Sequence, residues 1–71
     1  MASVTLKVEG MTCQHCVRTV RETLERQAGV ERAKVDLTAG RAVVDYDDAK
    51  ITPRTLANAV MEEGYTAEEI A

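Results

Sequence analysis

The sequence predicts an α+β fold. Its form is a two-layer sandwich, with a four-stranded antiparallel sheet carrying two helices on one face. Three observations lead there. Apolar residues alternate with polar ones along separate stretches, which is the period of a half-buried strand. Between them lie two stretches whose apolar residues recur every three or four positions, the period of a helix face. The order that results is β-α-β-β-α-β, and strands and helices that each bury one face stack most simply as two layers.

The first strand is expected over roughly residues 3 to 9. There Val4, Leu6 and Val8 alternate with Thr5, Lys7 and Glu9, and Gly10 ends the run. The period then changes. Val17, Val20, Leu24 and Ala28 fall on one helical face, Arg18, Arg21, Glu22, Glu25 and Arg26 lie largely off it, and Gly29 is a suitable stop. That places the first helix over about 14 to 27. Val30 restarts an apolar pattern, continued by Ala33, Val35 and Leu37, for a second strand. Thr38-Ala39-Gly40-Arg41 reads as a hairpin connection, and Ala42, Val44 and Tyr46 form the inward side of a third strand with Val43 facing out.

The second helix has the most explicit start. Thr52 is a good N-cap, Pro53 falls at the first helical position, and Ile51 and Leu56 stand at hydrophobic-staple spacing. Leu56, Ala57 or Ala59, Val60 and the stem of Glu63 are expected on its inner face, with Gly64 ending it. A short last strand follows over Tyr65 to Ile70. Those two residues differ in parity, so a bulge or fraying is expected there. A ferredoxin-like sandwich satisfies this order, with strands one and three central and strands two and four at the edges.

Composition narrows the function. The chain has 71 residues, enough for one domain over residues 1–71, with no internal repeat. Nine basic against twelve acidic residues, a net charge of -3, argues against nucleic-acid binding. No apolar run reaches membrane-spanning length, so no membrane insertion is expected. No basic-then-apolar leader is visible, and two cysteines do not make a secreted disulfide scaffold. Reduced thiols suggest the cytoplasm. No serine or carboxylate constellation suggests an enzyme.

The chemistry is concentrated in Gly10-Met11-Thr12-Cys13-Gln14-His15-Cys16, which holds both cysteines and the only histidine. Thiols two residues apart at a helix start can meet at one soft ion such as Cu(I), Zn(II) or Hg(II). The helix start also favours a Cys16 thiolate. A structural zinc site takes four ligands, and His15 is expected to point away from a chelate formed by its neighbours. Two other readings of the pair stand beside this one: small apolar residues, or a thiol–disulfide couple. The single proline, Pro53, is placed as a helix starter and not opposite the thiols, which weakens the redox reading.

The heptapeptide resembles the GMTCxxC signature of the heavy-metal-associated domain family, which includes small copper chaperones and the N-terminal domains of copper-transporting P-type ATPases. The likeness runs from Val4 to about Ala67 and takes in Gly29-Val30, Gly40 and Gly64-Tyr65. It implies a ferredoxin-like fold and Cu(I) held by Cys13 and Cys16. Zn(II) or Hg(II) are further ions the pair is expected to take in vitro, since mercury-binding relatives share the scaffold.

By the same likeness Met11 braces the metal loop from inside, Thr12 caps the loop or the helix, and Tyr65 lies near the sulfurs. His15 is assigned a role in copper-dependent homodimerisation. Thr12 stands before Cys13 where zinc- and cadmium-transporting relatives often carry an acidic residue, which favours Cu(I). The implied function is a metallochaperone that passes copper by thiolate exchange to a P-type ATPase or another CxxC-bearing acceptor. Arg18 and Arg21 would face an acidic partner domain. Glu62, Glu63, Glu68 and Glu69 read as a solvated acidic face. A start at Met1 and an end just past the last strand favour a free-standing protein over an excised ATPase module.

Overall fold

The computed structural model describes residues 2–70. The elements are β1 (Ala2–Glu9), α1 (Gln14–Glu25), β2 (Val30–Asp36), β3 (Arg41–Tyr46), α2 (Pro53–Glu62) and β4 (Thr66–Glu69). They form one four-stranded sheet in the order β2-β3-β1-β4, with β1 and β3 central as expected. Every neighbouring pair is antiparallel.

The register explains which residues form the core. Val4 lies opposite Val44, Leu6 opposite Ala42 and Val8 opposite Ala67, while Ala33 faces Val44 from the other side. Paired residues share a face, so these side chains make one apolar surface. Val20 and Leu24 of α1 and Leu56 and Val60 of α2 pack against it. Leu6, Leu24 and Leu56 are fully buried, each contributing about 1.5–3 kcal/mol of transfer free energy. Val43 faces solvent, 41% exposed.

The entry to α2 follows the sequence signals. Thr52 Oγ1 accepts a hydrogen bond from the Thr55 amide at 3.3 Å, and Pro53 is the first helical residue. Ile51 and Leu56 are both buried. The preceding turn is tied down by Asp47, whose side chain accepts from the Ala49 amide at 3.0 Å and whose carbonyl accepts from Lys50 and Ile51.

The structure differs from expectation in four places. The first helix ends at Glu25, not near residue 27, and Ala28 is exposed. The Gln27 amide bonds the Leu24 carbonyl, which tightens the exit, and Gly29 at φ +95° turns the chain away. Thr23 takes an inward position instead, 6% exposed, and its hydroxyl has no hydrogen-bond partner among the described residues. The irregularity expected in β4 lies in β2, between Val30 and Arg32, whereas β4 pairs with β1 without a shift. It restores Ala33 and Val35 to the inner face after Val30, which has the opposite parity. In α2, Ala57 and Ala59 are both buried, and Glu63 is exposed at the cap.

Candidate metal centre

The site sits where β1 leaves the sheet and α1 begins. Gly10 adopts φ +101°, a conformation that L side chains rarely take, and the chain turns there out of the strand. A Cβ at this glycine would stand 3.4 Å from Cδ1 of Tyr65, so the turn also lets that ring approach. The next residue, Met11, is half-buried and packs against the core, which anchors the loop from beneath. The Gly40 carbonyl of the β2–β3 turn accepts from the Val8 amide at 2.7 Å and holds the strand end.

Beyond Met11 the loop faces outward. Thr12 and Cys13 are exposed and Cys16 is half-buried. Cys13 is the N-cap of α1, with extended backbone (φ -157°, ψ 171°) and no side-chain capping bond. Its carbonyl accepts from the amides of Cys16 (3.1 Å) and Val17 (3.3 Å). This first turn draws the two thiols together: Sγ of Cys13 and Sγ of Cys16 are 3.7 Å apart, and neither is in a disulfide.

The two sulfurs are not equivalent. The Tyr65 hydroxyl, first, and then the Thr12 backbone amide favour the anionic form of the Cys16 sulfur. With smaller help from Cys13 and the Thr12 hydroxyl, they lower the Cys16 pKa to about 6. Charge-assisted hydrogen bonds favour the anion, so Cys16 is largely a thiolate at neutral pH. The same contact raises the Tyr65 pKa, with burial and the charges of Cys16, Cys13 and Glu63 adding to it. Tyr65 therefore stays a protonated donor.

Tyr65 both packs on the core and reaches the sulfur. Thr12 does not cap the helix, because the N-cap falls one residue later at Cys13; it favours the Cys16 anion instead. His15 is exposed on the first turn of α1, where its carbonyl accepts the Thr19 hydroxyl at 3.0 Å. Among the described residues, no cluster of three or more His, Cys, Asp or Glu is arranged to hold a metal ion. Arg18 and Arg21 reach Glu22 (3.4 Å) and Glu25 (4.0 Å) along α1. Glu63, read from sequence as part of a solvated run, is close enough to oppose ionisation of Tyr65. The donor role of the Thr12 amide had no side-chain signal to reveal it.

The chain and its fold have close counterparts among known proteins. The heavy-metal-associated domain profile matches residues 5–66. The chain belongs to the heavy-metal-associated domain family. The copper chaperone CopZ of Staphylococcus saprophyticus is 43% identical over 65 residues, covering 92% of this chain and 96% of that one. Copper-transporting ATPase 1 of Mus musculus is 42% identical over 65 residues, which are 92% of this chain and 4% of that much longer protein. A solved copper-binding domain from a P-type ATPase superposes with a TM-score of 0.98 at 31% identity, covering 100% of this chain and 96% of that chain.

Proposed function

We propose that this chain is a copper chaperone that binds one Cu(I) between Cys13 and Cys16. It passes the ion by thiolate exchange to an acceptor bearing its own CxxC pair, such as a copper-transporting P-type ATPase. The observation that carries the reading is the pair of thiols 3.7 Å apart, one exposed and one half-buried, with no third His, Cys, Asp or Glu clustered on them among the described residues. Two soft donors suit a closed-shell ion content with linear coordination, whereas structural Zn(II) takes four ligands. The names of the relatives above support copper as the cargo.

Incomplete coordination makes transfer feasible. Cys13 lies at the exposed edge, and Cys16 is held by Tyr65 and Thr12. An incoming thiolate adds to the ion, giving a three-coordinate centre, and one original bond then breaks. The ion moves without being released to water, and no substrate is chemically turned over. We place this exchange in the cytoplasm, where thiols remain reduced. The match to a short part of a long ATPase supports a second setting, in which the same domain is an N-terminal module of the transporter.

The test is a transfer measurement. Copper-loaded protein is mixed with an apo CxxC-bearing domain in the presence of a Cu(I) chelator. Direct exchange loads the acceptor faster than the chelator acquires colour. Acceptor loading no faster than chelator loading would show dissociation first and overturn the mechanism.

A further inference from the structure

The helices cover one face of the sheet, and the other face is open. The residues that alternate with the core along the strands stand on it. Thr5 and Val43 lie opposite one another there, and Lys34 flanks Val43 from β2. Ile70, just beyond β4, continues the row, because its amide bonds the Thr5 carbonyl at 3.0 Å. Val43 and Ile70 are each 41% exposed, so two of the three large exposed apolar side chains among the described residues fall in one cross-strand row. Charge is arranged about this row with opposite signs. On β3, Arg41 stands two residues before Val43 and Asp45 two residues after it. On β2, Asp36 lies beside Arg41 and Arg32 beside Asp45. Lys7 of β1 is opposite Arg41, and like charges across a ladder repel. Among the described residues Lys7 reaches only Glu9, at 3.6 Å, and Arg32, Asp36, Arg41 and Asp45 make no ion pair.

We propose that this open face is a self-association surface, and that its occupant is a second copy of the chain. A two-fold axis laid along the Thr5–Val43 row, across the strands, places β3 on β3 of the second copy, running the opposite way. Sheets packed face to face in this manner keep their strands within about 30° of each other. The rotation returns the row to itself, so Val43 meets Val43 and Ile70 meets Ile70. It exchanges the two flanks, so Arg41 meets Asp45 of the second copy and Asp36 meets Arg32 of the second copy. Asp45 of the second copy also comes beside Lys7, which supplies an acid to the repelling Lys7–Arg41 pair. One patch serves both copies, as a two-fold interface requires. The face offers few apolar side chains, and small interfaces are weak and transient. The dimer therefore forms toward millimolar and not micromolar concentration, and salt weakens it. β1 leads out of the sheet to the thiol loop at one end, and the rotation turns that end of the second copy the other way. The two thiol pairs point apart, so association needs neither metal nor thiol.

Sedimentation velocity of the reduced, metal-free protein, run from micromolar to millimolar concentration at low and high salt, tests this. The proposal predicts a monomer–dimer equilibrium that salt weakens and that the Cys13→Ser, Cys16→Ser double variant retains. Arg41→Asp alone and Asp45→Arg alone should each remain monomeric, since each sets like charges together at both symmetry-related contacts. An equimolar mixture of those two variants should form a mixed dimer, because opposite signs then meet at both contacts. That recovery excludes misfolding as the cause of the loss in either variant alone. Overturning results are a parent protein still monomeric at millimolar concentration, association that requires Cu(I) or the thiols, single variants that dimerise as well as the parent, and a mixture that stays monomeric. None of these readings depends on whether the protein takes up Cu(I).

Discussion

Tyr65 shows most directly how single contacts set the chemistry of the site. Its hydroxyl is the largest influence lowering the Cys16 pKa to about 6, and the Thr12 amide is next. Thiolate is the reactive form, so the reaction of Cys16 with iodoacetamide should rise with pH and reach half its maximum near pH 6. Removing the donor in Tyr65→Phe leaves the ring in place and takes away the first of these contacts. The midpoint then moves upward, toward the ordinary thiol range. Site-resolved mass spectrometry of alkylated peptides across pH measures it, and superimposable profiles for the two proteins would contradict the assigned contact. The thiols, Met11 and Tyr65 were legible in the sequence, through the spacing and the family signature. The capping of the sulfur by the Thr12 main chain was not, because every non-proline residue carries an amide and only the fold aims it. Thr23 was missed for a related reason: a hydroxyl residue at an inward helix position reads as polar surface, yet it is buried with no partner among the described residues.

At the scale of elements, the two helices differ in how firmly their starts are written. α2 carries a cap, a proline and a staple, and all three are in place. Thr52→Ala removes the side-chain acceptor of the Thr55 amide, and it should cost about 1 kcal/mol of stability. Urea unfolding would read this as a lower midpoint with an unchanged slope, and an unchanged midpoint would deny the cap its role. α1 begins instead on Cys13 with no side-chain cap. The residue at that position is a thiol exposed to solvent, and the loop before it is held by Met11. The β2 irregularity is present in the sequence as the parity change between Val30 and Ala33, a mismatch of the same kind as that between Tyr65 and Ile70. A mismatch of parity inside one apolar run is the stronger signal, because the strand must realign to bury its second half. The exit of α1 is fixed by packing. A Cβ on Gly29 would lie 2.9 Å from Cβ of Lys50, so the turn after α1 fits closely against the loop that leads into α2.

Across the whole molecule, the core and the thiol pair are kept apart. The core lies between the sheet and both helices, built almost wholly from Val, Leu, Ala and Ile with Tyr46. The thiols sit outside it at one end, where β1, α1 and the segment after α2 converge. The order of elements and the sheet order were readable because periods of two and of about three and a half alternate cleanly along the chain. What brings Tyr65 to Cys16 is the pairing of β4 with β1, a long-range contact that local periodicity does not encode. Charge is also distributed by the fold: Arg18 and Arg21 already have Glu22 and Glu25 as neighbours, so an acidic partner would compete with exposed pairs worth little individually.

The proposed copper site consists of Cys13 and Cys16 alone and is tight but open. Anaerobic titration of the reduced protein with Cu(I) against a competing chelator is its first test, repeated with Zn(II) and Hg(II) and with Cys13→Ser and Cys16→Ser. One Cu(I) per monomer is expected, with Zn(II) too weak to survive the chelator and tight Cu(I) binding lost in either serine variant while the fold is retained. Undiminished Cu(I) affinity in the double serine variant, or Zn(II) held in preference to Cu(I), would contradict it.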